Sequence, residues 1–502
     1  MAGGRRAMNN FRTVDRETDF LLPPSVAEWL PERHLARFVV EVVESLDLRA
    51  MTGSYRGSGS ASYLPSMLLG LLIYGYATGV FSSRKLERAT YDSVAFRFIA
   101  ANQHPDHDTI ATFRKRFLKE IEALFVRVLM LAREMGVLEM GTVALDGTKI
   151  HANASRHSAW SYEYATKLEA QLKEEVAQLL AKAEAADAAE LPDGLSIPEE
   201  LALREDRLKK LAEARAKIEE RAKERYAREK AEYDAKMAAR EAKIAETGRK
   251  PGGKPPQPPT EGPSPKDQIN LTDEQSRIMP VAGGGFDQCY NAQAAVATGS
   301  NLVVAVDVTQ APNDKNQVEP MLDKLGALGA LGETVGTCAR LLADTGYYSA
   351  GNVEACEKEG IEPLIAMGRQ PHHPPLSERL QAKPETSADP ARQTRTQEEP
   401  TGDVPTPMEP TPASPTRETP TPDDSAPAKP TAVEANARRL KTLEGRKLYA
   451  LRKQTPEPVF GIIKSVMGFR QFSLRGLENV RGEWSLVTMC WNIRRIFSLA
   501  AA

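Results

Sequence analysis

The chain has 502 residues, 41% of them hydrophobic, and its formal net charge is −2. Such a length predicts roughly two to four folding units rather than one core. The near-neutral total excludes a polyanion-binding surface over the whole chain, but residues 435–502 carry 13 Lys and Arg against 4 Asp and Glu, an excess that fits either a local phosphate-contacting surface or a solvated helix face.

Residues 1–140 are predicted to form an N-terminal all-helical domain. Apolar positions recur at helical spacing from Leu35 to Leu46 and again through HPDHDTIATFRKRF, where basic side chains flank the apolar face. Basic helix edges suit a DNA-binding domain, and a plain helical cap explains them equally well. The uncharged run 64–81 is long enough to span a bilayer, but Pro and Gly interrupt it. We therefore expect a buried helix and no membrane partner.

Residues 141–159 are predicted to begin an α/β core. The apolar run 143–145 ends in Asp-Gly, which predicts a strand followed by a turn. Residues 160–250 are rich in Ala, Glu and Lys, with Leu at helical spacing on both sides of ELPDGLSIPEE, a pattern typical of an inserted helical hairpin or coiled coil. Residues 251–265, PGGKPPQPPTEGPSP, form a Pro/Gly linker.

Residues 266–370 are predicted to be the second part of the core, because strand-like runs alternate there with helix-like pieces. The strand-like runs cover residues 286–297, 301–310, 339–349 and 361–368. Residues 371–433 are rich in Pro, Thr and Ser with very few apolar positions, which predicts a disordered insertion. Residues 434–502 are basic and largely helical and are predicted to complete the core.

The four cysteines favour a reducing compartment. They form no Cys-x-x-Cys pair and no Cys/His cluster with zinc spacing, so we expect no disulfide. The N-terminus, MAGGRRAMNNFRTVDRE, lacks the apolar core of a signal peptide. A cytoplasmic, nucleoid-associated protein is expected.

Three acidic residues lie at the ends of predicted elements. Asp146 ends a strand at LDG, Asp344 ends another at LLADTGY, and Glu457 begins a helix-like run in RKQTPEPVFGIIK. Strand ends in an open α/β sheet line a crevice where ligands bind. Carboxylates can hold two hard divalent cations there, and two ions about 3.5–4 Å apart stabilise both the attacking and the leaving oxygen of a phosphoryl displacement.

Each acid also has a purely structural explanation. Asp before Gly is common turn chemistry, and Glu near a helix start complements the helix dipole. Asp307, in VVAVDVTQ, competes with Asp344, although strand alternation places it in mid-strand. From these residues alone, a metal site is one of two interpretations.

The order of several longer motifs resembles the DDE transposases of bacterial insertion sequences. These motifs are LDGTKIHANAS, NAQAAV with LVVAVDVT, ADTGYYS, and YALRKQTPEPVFGIIK with GFRQFSLRGLENVRGEWSL. The most similar branch has an N-terminal helical domain and a Tyr-Arg-Glu-Lys signature around the last acid. LLGLLIYGYATGVFSSRKLE and DTIATFRKRF are similar to that branch as well. The resemblance leaves out only the helical insertion and the Pro-rich segment.

The resemblance implies a ribonuclease-H-like mixed sheet with helices. It implies that Asp146, Asp344 and Glu457 are the catalytic residues and the ligands of two Mg²⁺ or Mn²⁺ ions. The activity implied is cleavage of DNA at element ends, followed by attack of the freed 3′-hydroxyl on target DNA. A homodimer is expected because two element ends must be handled together.

The signature implies that Tyr449, Arg452 and Lys464 contact DNA. Tyr449 and Arg452 are three residues apart, and Glu457 and Lys464 are seven apart, both as in the pattern. Pro456 suits the first turn of a helix, and helical spacing from there predicts that Glu457 and Lys464 lie on one face. Arg452 and Glu457 are five apart where four is usual, and Lys453 satisfies that spacing instead.

Two other functions are compatible with the same residues. A metal-dependent DNA nuclease of the same fold, without transposition, would use the same carboxylates. An inactive DNA-binding remnant would keep them as structural groups.

Overall fold

The structure is a computed structural model. It describes residues 25–55, 62–186, 197–249, 252, 254–330, 335–368 and 430–501. Two predicted segments lie partly outside these residues. They are the Pro/Thr-rich insertion 371–433, which is described only from position 430, and the helical domain, whose first 24 residues are not described.

Every regular element that the structure describes before residue 141 is a helix. These are α1 (Val26–Trp29), α2 (Leu35–Ser45), α3 (Arg49–Thr52), α4 (Pro65–Thr78), α5 (Ser83–Asp92), α6 (Val94–Ile99), α7 (His107–Arg116) and α8 (Leu118–Glu134).

Helix α4 is the apolar run expected to be a buried helix. It buries 11 of its 14 residues. It ends at Gly79, whose φ of +86° favours glycine, and a Cβ there would lie 2.7 Å from the backbone oxygen of Met467. Among the described residues, no single helix is long and apolar enough to cross a membrane. Helices α4 and α5 reach that length and apolar character only when they are taken together, and the chain bends by 96° between them.

The remainder of the chain forms a mixed α/β core. Its strands are β1 (Thr142–His151), β2 (Ala159–Ser161), β3 (Gln268–Asn270), β4 (Arg277–Pro280), β5 (Phe286–Ala297), β6 (Val303–Thr309), β7 (Arg340–Ala343) and β8 (Glu362–Ile365). In the main sheet the order is β4-β5-β1-β7-β8, with β6 also paired to β5. Strand β1 is antiparallel to β5 and parallel to β7, and β7 is parallel to β8. The four strand-like runs are confirmed as β5 to β8.

The turn predicted after Asp146 is wrong. Strand β1 continues to His151, and Gly147 pairs with Gln293 of β5 inside the ladder. A Cβ on Gly147 would collide with the Gln293 amide and lie 2.7 Å from Oδ1 of Asp314. This glycine therefore permits a close approach of side chains to the strand rather than a change of direction.

Helices complete the rest of the described chain. They are α9 (Tyr162–Ala186), α10 (Ile197–Thr247), α11 (Val318–Gly329), α12 (Ala350–Lys358), α13 (Ala432–Lys441), α14 (Leu443–Gln454), α15 (Pro456–Gly461) and α16 (Leu477–Ala500), with a π-helical turn at Ile462–Val466.

Helices α9 and α10 occupy the segment predicted as an inserted hairpin. Glu169 of α9 pairs with Arg215 of α10, and Glu175 pairs with Arg204 at 2.8 Å, so the two helices run antiparallel where they touch. Ala165, Leu172 and Leu211 form an apolar cluster between them.

Helix α16 joins the N-terminal helices to the sheet. It buries 14 of its 24 residues and contacts α4, α8 and β6. The Trp484 indole N–H donates to the backbone oxygen of Gln293 at 3.0 Å, and Asn492 bonds both the N–H and the C=O of Val303. One helix therefore packs against both parts of the molecule.

A buried polar network lies at this junction. Arg114 of α7 donates to the Tyr76 hydroxyl at 2.8 Å, and that hydroxyl donates to Oε1 of Glu483 at 3.3 Å. Oε2 of Glu483 accepts the backbone N–H groups of Ser473 and Leu474, each at 2.9 Å. Burial raises the pKa of Glu483, and these donors and the Arg114 charge oppose that rise.

We expect Glu483→Ala to destabilise the protein by about 3–5 kcal/mol, because it leaves the Arg114 charge buried without a counter-charge. Urea unfolding followed by circular dichroism measures this change. Glu478→Ala is the matched control, since its ion pair with Lys119 is exposed on both sides and should contribute less than about 1 kcal/mol. Equal losses for the two variants would contradict a structural role for the network.

Candidate active site

The register of the sheet brings Asp146 and Asp344 side by side. In the parallel pair β1–β7, Ala144 lies opposite Leu342. Asp146, which is still within β1, and Asp344, which directly follows the end of β7, each lie two residues further along and on the same face of the sheet. Their proximity is also visible electrostatically, because the Asp344 charge acts on the Asp146 carboxyl.

Helix α14 covers this face of the sheet. Ala144, Leu342 and Leu364 form a buried apolar cluster against which Leu440, Leu448, Tyr449 and Leu451 pack. The packing fixes α14 across the strands and directs its last turn toward the two aspartates. Tyr449 and Arg452 are carried there together.

The guanidinium of Arg452 lies between two of the three predicted acids. Its Nη1 is 3.7 Å from Oδ2 of Asp146, and its Nη2 is 3.5 Å from Oε1 of Glu457. The Arg452 side chain is only 12% exposed. In the described part of the chain, its Nε has no hydrogen-bond partner. Glu457 is thus near the aspartates, but a positive charge separates it from Asp146.

Glu457 lies in the first turn of α15, directly after Pro456, as the proline predicted. Its side chain is 52% exposed. Helix α14 ends at Gln454 and α15 begins at Pro456, so Arg452 and Glu457 face each other across a helix junction.

Lys464 lies apart from Glu457. The expectation that both share one face of a continuous α-helix is wrong, because α15 gives way to the π-helical turn after Gly461 and the helical phase changes. The Lys464 ammonium instead donates to Oγ1 of Thr148 at 2.5 Å and to the backbone oxygen of Lys149 at 2.8 Å. It is therefore attached to β1, beyond Asp146.

Burial dominates the electrostatics of Asp146. It raises the pKa of this carboxyl to about 6, helped by the neighbouring Asp344 and Asp314 charges and opposed by the Gly147 N–H and by Arg452. Burial also raises the pKa of Tyr449, and the adjacent Arg452 opposes that rise. The site therefore contains more negative charge than Arg452 alone compensates.

Sequence reasoning missed a second polar group beside Asp146. Oδ1 of Asp314 accepts from Asn291 at 2.6 Å and from Gln293 at 2.7 Å, and the Lys149 ammonium lies 3.8 Å away. Burial lowers the pKa of Lys149, and the Asp314 and Asp146 charges raise it. The polar side chains of Asn291 and Gln293 in the otherwise apolar run NAQAAV could have indicated this polar group in the sequence.

Asp307, the competitor of Asp344, is part of a different cluster. It lies on β6, where its carboxylate pairs with Arg481 at 3.0 Å and with Lys324 at 3.7 Å. These ion pairs give Asp307 a structural role.

The residues fit a metal site only in part. Asp146 and Asp344 supply adjacent carboxylates, which is the donor chemistry that Mg²⁺ and Mn²⁺ prefer. Among the described residues, however, no three Asp, Glu, His or Cys side chains lie close enough together to hold an ion as they stand. Arg452 occupies the space between the first and third acids.

Two family models match the chain. A model described as "Transposase DDE domain" matches residues 259–493, and one described as "Transposase domain (DUF772)" matches residues 24–116. The first covers Asp344, Glu457 and the helices around them, and the second covers most of the described N-terminal helices. No curated protein and no solved structure matches. The chain belongs to the DDE transposases of insertion sequences.

We expect Asp146→Asn to stabilise the protein at high pH. Because the folded pKa of Asp146, about 6, is above its ordinary value of 3.8, stability present below pH 4 is lost as pH rises through 6. Asn cannot ionise, so without divalent ions at pH 8 the variant should gain up to about 3 kcal/mol. Urea unfolding at pH 4, 6 and 8 measures the difference, which should disappear at pH 4.

Asp323→Asn is the control, since Asp323 is exposed on α11 and its loss should change stability little at any pH. An Asp146→Asn effect that is independent of pH would contradict the raised pKa.

Proposed function

We propose that this transposase cleaves DNA strands at the ends of its element and transfers the freed ends to target DNA. The proposal is supported above all by the placement of Asp146, within β1, beside Asp344, at the end of the parallel strand β7, beneath the helix that carries Tyr449 and Arg452. In open α/β sheets, ligands usually bind at the carboxyl ends of parallel strands, and Asp344 lies at such an end. Asp146, Asp344 and Glu457 are the proposed catalytic residues.

We further propose that the core is ribonuclease-H-like, with α9 and α10 as an inserted hairpin. The sheet supports this, because β6, β5 and β1 are antiparallel neighbours while β1, β7 and β8 are parallel, and β4 pairs with the start of β5. The insertion would then interrupt the core between β1 and β5, and it leaves the proposed site intact.

The three carboxylates are the proposed ligands of two Mg²⁺ or Mn²⁺ ions. When bound, such ions lower the pKa of an attacking water and neutralise charge on the phosphoryl oxygens. The chain itself contributes the arrangement of the carboxylates. Burial of Asp146 next to Asp344 leaves a site that gains stability when a cation enters, because charge there is poorly solvated.

Lys149, Arg452 and Lys464 are proposed to hold the DNA backbone. Lys464 and Lys149 lie along β1 beyond Asp146, and Arg452 lies over Asp146 itself. These three cations lie on two sides of the proposed reaction centre. We propose that they bind successive phosphates of one DNA strand. Binding should consequently weaken as salt concentration rises. Tyr449 is proposed to position Arg452 and to contact DNA beside it.

A homodimer remains part of the proposal, because two element ends must be handled together. A nuclease that cuts without joining is the alternative function. The two functions differ in their products, so a strand-transfer assay separates them.

We expect Asp146→Ala, Asp344→Ala and Glu457→Gln each to lower DNA cleavage by about three orders of magnitude or more, since several kcal/mol of charge stabilisation is lost. DNA affinity should change little, because the basic contacts persist. Cleavage and joining of labelled element-end DNA are measured with Mg²⁺ or Mn²⁺, and affinity is measured by fluorescence anisotropy.

Asp323→Asn serves as the carboxylate control and should cleave like the wild type. Full cleavage by any one of the three site variants would remove that residue from the site. Nicked products without joined products would favour the nuclease.

A further inference from the structure

Arg452 occupies a position that two predicted metal ligands share. Its guanidinium lies 3.7 Å from Asp146 and 3.5 Å from Glu457, and its side chain is almost fully buried. A positive charge therefore already lies between these two acids, where an ion that both bind would have to lie. The presence of Arg452 between them accounts for the incomplete match of the site to a pair of metal ions.

The carboxylate contacts of Arg452 are long for a buried guanidinium. Charge-assisted hydrogen bonds to carboxylates are usually about 2.7–2.9 Å long, and both contacts here are longer. The Nε atom is buried and has no hydrogen-bond partner in the described residues. Tyr449 also bonds Arg452, but an exchange of the two carboxylate partners would break no short ion pair.

Arg452 also has the right chemistry for a second position. A guanidinium matches the geometry of a phosphate, to which it can donate two parallel hydrogen bonds. A divalent ion at Asp146 would repel it, and a DNA phosphate at the same edge of the sheet would attract it. Charge alone therefore favours an exchange of partners.

We propose that Arg452 is a built-in counter-cation, which neutralises Asp146 and Glu457 in the DNA-free protein and competes with divalent ions for them. When DNA binds, Arg452 moves to a backbone phosphate and the acids become available. This inference rests on the proposed function. It adds that DNA and metal bind with positive cooperativity and that Arg452 is a positioning residue for the metal site.

Manganese affinity of the full-length, DNA-free protein tests the proposal. Free Mn²⁺ is measured by electron paramagnetic resonance, without reference to activity. Arg452→Gln should raise the affinity at least fivefold, because the competing charge is gone. Lys453→Gln is the matched control: this exposed residue carries the same charge one position away, and its loss should change affinity less than twofold.

Arg452→Lys provides a second variant. It keeps the charge, but one ammonium cannot span both carboxylates as the guanidinium does, so Mn²⁺ affinity should lie between those of the wild type and Arg452→Gln. Circular dichroism and unfolding midpoints establish that the variants are folded.

The titration is repeated with a short DNA duplex bound. The wild type should now bind Mn²⁺ more tightly than it does without DNA, and the advantage of Arg452→Gln should be lost. Unchanged Mn²⁺ affinity of DNA-free Arg452→Gln, or an equal gain in Lys453→Gln, would overturn the proposal while leaving the proposed function intact. Mn²⁺ binding that Asp146→Ala and Glu457→Gln leave unaffected would overturn the proposed function itself.

Discussion

The parallel pairing of β1 with β7 is the constraint on which the site depends. It aligns two carboxylates along neighbouring parallel strands, where burial and mutual repulsion raise the pKa of Asp146 to about 6. Like charges so placed require positive charge nearby. Helix α14 supplies it with Arg452, and the strand edge beyond Asp146 adds Lys149 and Lys464. The polar chemistry of the site follows from this one register.

The helical parts give that register a rigid frame. Helix α16 contacts the N-terminal helices and the sheet at once, and Glu483 accepts hydrogen bonds at the same junction. The apolar cluster under Tyr449 fixes α14 over β1 and β7 by packing alone. This apolar cluster thus determines where Arg452 lies, although it contains none of the three proposed catalytic carboxylates.

Much of this architecture could be predicted from local patterns. The strands β5 to β8, the buried helix α4 and the start of α15 at Pro456 follow from apolar runs and proline preference, because each depends on neighbours in the chain. Two local predictions were wrong. The turn at Gly147 failed because this residue pairs with β5, far away in the chain. The continuous helix from Glu457 to Lys464 gives way to a π-helical turn, from which Lys464 bonds to β1.

The sequence by itself determined the family motifs, the three acids and the order of helical and α/β segments, since these are properties of residue type and spacing. Only the tertiary structure decided that Asp307 pairs with Arg481, that Asp314 lies beside Asp146, and that Arg452 stands between Asp146 and Glu457. Those arrangements depend on sheet register and helix packing between residues far apart in the chain, which no local pattern encodes.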